Sequence, residues 1–184
     1  MKNQIGNVAT GDIAARDINK TVKMPRERTP MAKLVEQYRS ESESDPKLTS
    51  LIENLQHFFS SNTTSDVRGL EVKLTCSGRE DLLQDALTKK QAAYKLIMKN
   101  QGSKSAQLIF TFVLAEIVVN FEQAVRPLVQ STAARVDIDK AILDHVITPA
   151  VKLLEDNPLM LNKLDIQGFL YFLGGNCHVR WDPC

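Results

Sequence analysis

The residue types best suited to chemistry are concentrated near the C-terminal end of the chain. Cys177 and His178 are adjacent, and Arg180, Trp181 and Asp182 follow them. Nucleophilic catalysis by a thiol requires a base within hydrogen-bonding distance of the sulfur. Adjacent residues of an extended chain point to opposite faces, so this spacing keeps the two side chains apart. We therefore predict no catalytic residue, and a thiol-dependent hydrolase or nuclease using this Cys-His element is the alternative.

Zinc binding is the second chemistry that these residue types suggest. Cys177, His178 and Cys184 could supply ligands, but structural zinc sites use ligand pairs two to four residues apart. That spacing is absent, so neither a metal nor another cofactor is predicted. The favoured interpretation is structural: Cys177 packs as a small buried hydrophobe, Trp181 closes the core, and Arg180 or His178 faces a partner or a carboxylate.

A basic stretch offers a possible contact with nucleic acid. Lys89, Lys95, Lys99 and Lys104 lie in a segment, 86–115, that contains no acidic residue. Such lysines could bind phosphates. However, no aromatic residues are interleaved with them on that face, and the net charge of the chain is only +1. A nucleic-acid-binding module using Lys89 to Lys104 is therefore possible but not favoured over a solvated helix face.

The overall composition is that of an ordinary globular domain. The 184 residues suffice for one domain with a real core. Three cysteines without a CxxC spacing indicate reduced thiols, so we predict a cytoplasmic protein. The chain shows no signal peptide, and its longest apolar block, Ala106 to Val119, is shorter than the about 20 residues of a membrane span. We predict a buried central helix there and no membrane contact.

The first 24 residues carry a repeat of five. An Asn or Asp followed by Val or Ile recurs three times, which places Val8, Ile13 and Ile18 at equal intervals. Five is neither a helical period nor a strand period, so one chain cannot bury this apolar set by itself. We predict that residues 1–24 form a short β-like oligomerisation arm, in which turns use Gly11, Asp12 and Asp17. A disordered arm is the alternative.

The remainder, residues 25–184, is predicted to be an all-α domain: a helical bundle of five or six helices. Val67 to Thr75 is ambiguous, because alternating Leu70, Val72 and Leu74 also suit a short strand. The predicted helices cover 30–39, 46–59, 79–101, 104–125, a stretch from Asp137 or Asp139 that Pro149 kinks or ends, and 166–173 with Asp165 as its cap.

Two polar residues fall on apolar helix stripes. Lys90 lies in line with Leu83, Leu87 and Tyr94, and Glu116 lies in a helix that is apolar nearly all round. If the two helices flanking Gly102 pair in antiparallel fashion, these residues meet. We predict a buried Lys90–Glu116 ion pair, because pairing removes much of the cost of burying either charge. In the alternative, Lys90 extends to solvent and Glu116 borders a polar interface.

Both ends of the chain also resemble known sequences. Residues 6–19, Gly-Asn-Val-Ala-Thr-Gly-Asp-Ile-Ala-Ala-Arg-Asp-Ile-Asn, resemble a leader found on assorted bacterial conflict-system proteins. Residues 166–181, which end Gly-Gly-Asn-Cys-His-Val-Arg-Trp, resemble the ending of C-terminal domains in ABC-three-component systems. Those systems pair an ABC ATPase with a middle component and an effector-linked domain in defence against phage or plasmids. The family's longer members carry a peptidase or nuclease module ahead of this domain, and that activity is not carried over.

The resemblance implies an adaptor or sensor module and no catalytic residues. We therefore predict a non-enzymatic component of a bacterial anti-phage or anti-plasmid conflict system. It oligomerises with itself through its arm and contacts other conflict-system proteins. Cys177, His178, Arg180 and Trp181 are the candidate partner-binding residues.

Overall fold

The computed structural model describes residues 29–41, 52–60, 68–154 and 158–182. The repeat arm therefore lies outside the described residues, together with its candidate residues Val8, Gly11, Asp12, Ile13, Asp17 and Ile18. The predicted helix start at Asp45-Pro46 also lies outside them.

Every regular element in the described ranges is helical, which confirms the all-α prediction for this part of the chain. The elements are α1 Pro30–Glu41, α2 Glu53–Phe59, α3 Leu70–Cys76, a 3₁₀ turn Glu80–Leu82, α4 Leu83–Lys99, α5 Lys104–Asn120, a π turn Phe121–Val125, α6 Arg126–Gln130, α7 Arg135–Ala141, a π turn Ile142–Ile147, α8 Thr148–Leu154 and α9 Lys163–Gly175. The π turns join α5 to α6 and α7 to α8, so the described part contains seven continuous helices. The prediction was five or six, and the added one is α3.

Local signals explain several helix boundaries. Pro30 opens α1, where its missing N–H costs nothing, and Thr29 caps the helix by accepting the N–H of Ala32 on its hydroxyl (3.2 Å). Ser103 caps α5 in the same way, through the N–H of Ala106 (3.1 Å). Both starts lie where the sequence predicts them.

The two long helices pass through a proline, and a π turn precedes each one. In the first, the N–H of Arg126 bonds to the carbonyl of Phe121, five residues back, and Pro127 follows. A second π turn, Ile142–Ile147, precedes Pro149. A proline ring clashes with the carbonyl four residues back, and the wider π turn relieves that clash. The helix predicted to end at residue 125 therefore continues through Pro127. The helix that Pro149 was predicted to kink or end passes through that proline by way of a π turn.

The core is centred on α9, which packs lengthwise along α4 and also contacts α3 and α5. Gly168 permits the close approach to α4, since a Cβ at this position would lie 2.8 Å from the carbonyl oxygen of Lys89. α5 packs on α1 and α2. The buried apolar side chains along α5 are Ala106, Ile109, Phe110, Val113, Leu114 and Ile117.

The predicted buried central helix is α5, which is buried along one side and exposed along the other. Phe112 and Val119 on its other side are 43% and 50% exposed. By length and composition the continuous helix Lys104–Gln130 could cross a membrane, a test that the core helix of a soluble protein also passes.

Candidate interaction site at the C-terminal turn

The N-terminus of α9 is closed by a capping box. The side-chain oxygen of Asn162 accepts the N–H of Leu164 (2.8 Å), and the Asp165 carboxylate accepts the N–H of Asn162 (2.8 Å). This reciprocal arrangement satisfies N–H groups that a helix start leaves open. The sequence predicts Asp165 as the cap, whereas the structure assigns that position to Asn162 and places Asp165 in the first turn.

The other end of α9 leads into residues 174–182, which we call the C-terminal turn. The N–H of His178 bonds to the carbonyl of Leu173 (2.9 Å), and the N–H of Cys177 bonds to that of Gly174 (3.4 Å). These two bonds form a Schellman motif, which requires a left-handed residue between them. Cys177 is that residue, with φ of +64°. The backbone is therefore not extended at Cys177, which corrects the extended Cys-His arrangement expected from the sequence.

A cysteine is unusual in this left-handed position, which normally favours glycine because a Cβ crowds the following carbonyl. The Cys177 thiol is buried, as the sequence predicts, and donates a hydrogen bond to the carbonyl of Arg68 (3.6 Å). The backbone gains nothing from a side chain here, so the thiol and its contacts account for the residue type. Such departures from local preference mark positions where function or packing overrides the backbone.

Lys73 of α3 lies beneath this turn and is 1% exposed. Its ammonium donates to the carbonyl of Gly174 (2.6 Å) and to that of Val179 (3.2 Å). Burial lowers the pKa of Lys73, while the adjacent Cys177 thiol and the Asp182 carboxylate act in the opposite direction. Sequence reasoning missed this residue. Its only signal is helical spacing, because Leu70, Lys73 and Leu74 share one face.

His178 packs between the rings of α2 and the turn. Its ring lies 5.1 Å from that of His57 and 5.4 Å from that of Phe58, measured between centroids. Burial lowers the pKa of His178, and the neighbouring His57 lowers it further. The Nε2 atom of His178 is buried without a hydrogen-bond partner among the described residues. His57 itself is exposed.

Trp181 closes the core, as the sequence predicts. It is 2% exposed and packs edge-on against Phe121, with ring centroids 5.6 Å apart. Its indole occupies the space where a Cβ on Gly174 would stand, and Tyr171 stacks on its other side at 5.8 Å. Gly174 is therefore required by the close approach of this ring.

The last residue of the turn, Asp182, ties it to the start of α3. One carboxylate oxygen accepts a hydrogen bond from Arg68 (3.1 Å). The other oxygen, Oδ1, is buried without a partner among the described residues. Arg180, two residues before Asp182, is half-exposed.

An open groove of about 510 Å³ runs beside the turn, between α4 and α9. We call it the α4–α9 groove. Its aromatic wall brings the ring of Phe59 within 5.0 Å of Phe172 and 5.9 Å of Tyr94, between centroids. Leu87 and Tyr94 are 40% and 46% exposed along it. The remaining lining residues are Lys90, Gln91 and Asn176.

The groove is held open by contacts on both sides. The side-chain amide of Asn176 donates to the carbonyl of Phe58 (2.9 Å), which fastens α2 to the turn. The stem of Lys90 lies where a Cβ on Gly175 would stand. A cation thus lies at the edge of an apolar, aromatic surface that solvent reaches.

A comparison with known families assigns the C-terminal part of the chain. Residues 69–181 match the family described as C-terminal domain 9 of the ABC-three component (ABC-3C) systems. The chain belongs to this family. It is therefore a component of an ABC-three-component conflict system. No curated protein and no solved structure matches the chain.

Most of the predicted partner-binding residues of the ABC-3C domain are buried. Cys177, His178 and Trp181 are 9%, 9% and 2% exposed, so among these candidates only Arg180 offers a half-exposed side chain. The sequence places the contact surface on the turn itself. The structure instead exposes the α4–α9 groove, whose Leu87 and Tyr94 the sequence assigns to the core stripe.

Lys90 and Glu116 do not meet in the ABC-3C domain, which corrects the predicted ion pair. Lys90 lies against Gly175 of α9, and Glu116 accepts a hydrogen bond from Asn120 one turn along its own helix (2.8 Å). Both residues are half-buried. The prediction assumed that α4 pairs with α5, its neighbour in sequence, whereas α4 packs along α9.

The basic stretch is partly neutralised. Lys89 donates to the Asp85 carboxylate (2.6 Å) and to the side-chain oxygen of Gln167 (3.0 Å). Lys95, Lys99 and Lys104 are exposed. Three exposed lysines without an aromatic partner on their face offer phosphates a weaker site than the sequence pattern alone indicates.

The Cys-His element is not arranged as a nucleophile and base. The thiol of Cys177 is directed to Arg68 and Lys73, and the ring of His178 is directed to His57 and Phe58. Within the described ranges, no group of three or more His, Cys, Asp and Glu side chains is placed to hold a metal ion.

A second cavity, of about 250 Å³, lies between α4, α9 and the π turn before Pro149. Arg79, only 3% exposed, lines it and donates to Asp139 (2.8 Å). Tyr171 also lines it, and its pKa is raised by burial and by the carboxylates of Asp85 and Asp139. Its apolar lining includes Leu170 and Trp181. This cavity combines charges of both signs with an apolar floor.

Proposed function

We propose that this ABC-3C domain is a cytoplasmic, non-enzymatic adaptor of an anti-phage or anti-plasmid conflict system, and that the α4–α9 groove binds another component of that system. The single observation that carries the proposal is the groove itself. Exposed Leu87 and Tyr94 are two large apolar side chains that the fold leaves in solvent beside a rigid turn. Contiguous apolar surface rimmed by polar groups marks interaction sites.

The chemistry of the groove specifies its occupant. Aromatic rings of Phe59, Tyr94 and Phe172 suit an aliphatic side chain, and the Lys90 ammonium at the edge suits a carboxylate. The occupant is therefore a segment of a system partner with an aliphatic residue beside an acidic one.

The test is co-elution with the ABC ATPase and the middle component of the same system after co-expression. Leu87→Asp and Tyr94→Asp each introduce a charge into the groove and are expected to abolish co-elution. The matched control is Val136→Asp, which adds a charge at a side chain that is 71% exposed on α7, outside the groove lining. Equal loss in the control, or co-elution that survives both groove variants, contradicts the proposal.

Several copies of the adaptor assemble through the N-terminal arm. In this part of the proposal, arms stack Val8, Ile13 and Ile18 into a shared β-like core, and Gly11, Asp12 and Asp17 form the turns between them. Presenting several grooves at once raises avidity without a new contact. Size exclusion with light scattering on the full chain and on one beginning at Pro25 tests it. Ile13→Asp with Ile18→Asp should remove the arm's share of assembly and leave the helical body folded.

A sensor role is the second candidate, favoured by the cavity around Arg79. A small molecule carrying one charge of each sign would match its paired cations and carboxylates, and its apolar part would contact Trp181. A thermal-shift screen of amino acids and other small zwitterions tests this role. Stabilisation that is lost in Asp139→Asn supports it, and the absence of any shift removes it.

A further inference from the structure

The N-terminal arm carries the residue pair that the α4–α9 groove suits, an aspartate followed by an isoleucine. The Asp-Ile pairs of the chain are Asp12-Ile13, Asp17-Ile18, Asp137-Ile138 and Asp165-Ile166. Ile138 and Ile166 are 6% and 0% exposed, so the core of the helical domain already uses them. The two pairs of the arm are therefore the ones that a surface of the domain can bind.

The groove has one cation and no carboxylate in its lining, and that cation is Lys90. The neighbouring Lys89 is held by Asp85 (2.6 Å), whereas Lys90 has no ion-pair partner within the described ranges. The stem of Lys90 rests on Gly175, which keeps its ammonium at the edge of the aromatic wall. The groove thus offers an apolar contact and an unpaired positive charge side by side.

The pair in the arm matches these two features. Isoleucine provides the apolar contact with the rings, and aspartate provides the carboxylate for the ammonium. A straight strand would direct the two side chains to opposite faces. The turn predicted at each aspartate of the arm removes that obstacle, because the chain direction changes between the two residues.

The arm is also long enough to reach the groove of its own chain. It precedes α1, which packs on α5, as does α2, the helix that carries Phe59 of the groove. From Ile18 to Thr29 the chain spans up to about 36 Å, and from Ile13 up to about 53 Å. A domain of about 150 residues has a radius of gyration of about 15 Å, so it is about 40 Å across. Both spans are comparable with that width, and a groove beside α2 therefore lies within reach.

We propose that an Asp-Ile pair of the N-terminal arm occupies the α4–α9 groove of its own chain and competes there with the partner segment. The inference rests on the proposed function, since it takes the groove as the site of the partner. Ile13 and Ile18 also belong to the apolar set that stacks in the proposed assembly of arms. One side chain cannot be in both places, so assembly withdraws the arms from the grooves. Partner binding is then strongest in the assembled form.

A labelled peptide of residues 7–20 tests the competition by fluorescence anisotropy, with full chains as receptors. Ile13→Asp with Ile18→Asp removes the arm as a competitor, and we call this chain the arm variant. The natural chain should bind the peptide about tenfold more weakly than the arm variant. This follows because a tethered segment acts at an effective concentration on the order of 1 mM, about ten times a dissociation constant of 100 μM. Stacking of the peptide on the arm predicts the reverse order. That order, or equal affinities, overturns the proposal.

Charge exchange tests whether the groove is the site. In the arm variant, Tyr94→Asp should weaken peptide binding at least about tenfold, while Val136→Asp should leave it unchanged. A peptide with Asp12→Lys and Asp17→Lys should lose at least about tenfold in affinity, and adding Lys90→Glu to the arm variant should restore it to within about threefold. Circular dichroism verifies the folding of each variant. Loss without rescue contradicts the predicted contact with the ammonium.

Concentration separates competition within one chain from exchange between copies. Sedimentation velocity gives the size of the natural chain at each point of the titration. A weakening that appears only where the chain is assembled assigns the groove to the arm of a neighbouring copy and contradicts the proposal. If the peptide binds no full chain while co-elution with the system partners still depends on Leu87 and Tyr94, this inference fails and the proposed function stands. Peptide binding without that dependence removes the partner site and leaves the arm contact in place.

Discussion

The ammonium of Lys73 donates a 2.6 Å hydrogen bond to the carbonyl oxygen of Gly174 in the last turn of α9. A helix C-terminus leaves carbonyls without partners and carries partial negative charge, so a cation there is favourable. The same ammonium reaches Val179, which lies beyond the left-handed residue of the C-terminal turn. One buried side chain thus connects α3, the end of α9 and the turn.

Removing this cation should therefore destabilise the domain. Lys73→Met keeps the length of the side chain but leaves two buried carbonyls without a donor, while the Asp182 carboxylate keeps its ion pair with Arg68. We expect the free energy of unfolding to fall by about 2 to 4 kcal/mol, measured by urea denaturation. Lys90→Met is the control, because its half-buried stem remains in place on Gly175, and it should change stability by less than about 0.5 kcal/mol. Equal effects in the two variants would contradict a special role for Lys73.

Cys177 should tolerate glycine better than a branched residue. Cys177→Gly relieves a left-handed conformation that costs a side chain about 1 to 2 kcal/mol, and it loses a buried thiol of similar value. We expect the free energy of unfolding to stay within about 1 kcal/mol. Cys177→Val keeps an apolar volume but places two γ carbons at positive φ where cysteine has a single Sγ, and we expect a loss of at least about 2 kcal/mol. The reverse order in thermal denaturation would show that the turn is not held in this conformation.

The lowered pKa of His178 predicts that the domain loses stability on acidification. Its pKa is lowered in the folded state by burial and then by His57, so the unfolded chain binds the proton more readily. The stability that neutral His178 contributes to the fold is complete above the unfolded pKa of about 6.5. It is lost as the pH falls through the lower pKa of the folded state. Urea unfolding between pH 8 and pH 5 should show this decline.

The matched variants for the pH experiment replace two different histidines. His178→Phe keeps a ring against Phe58 and should flatten the decline between pH 7 and pH 5. His145→Gln changes an exposed histidine on the second π turn and should retain the slope of the natural chain. A slope that persists in His178→Phe assigns the effect to another group.

Much of the helical framework could be predicted because its signals are local. Thr29-Pro30 and Ser103 start helices through their own backbone and hydroxyl chemistry, without tertiary contacts. The buried Leu55 and Phe58 of α2 also follow from their spacing. Trp181 could be assigned to the core because an aromatic side chain buries a large apolar area.

The predictions that failed share one cause: contacts between residues that are distant in sequence. α3 alternates apolar and polar residues like a strand, and its true face contains Lys73, which polarity assigns to solvent. Only the carbonyls of Gly174 and Val179, about a hundred residues away, make that burial possible. The Lys90–Glu116 pair failed because helices adjacent in sequence were taken as adjacent in space.

The last prediction concerns the glycine pair that ends α9. A Cβ on Gly174 would collide with the rigid indole of Trp181, whereas a Cβ on Gly175 would meet only the flexible stem of Lys90. We expect Gly174→Ala to lower the free energy of unfolding by about 1 to 3 kcal/mol through overpacking. Gly175→Ala should cost less than about 1 kcal/mol, since the lysine can move and alanine favours the helix.

Trp181 is the one tryptophan of the chain, so its fluorescence reports the displacement directly. Emission should shift to the red in Gly174→Ala and stay unchanged in Gly175→Ala, and equal shifts would mean that the indole does not lie on Gly174.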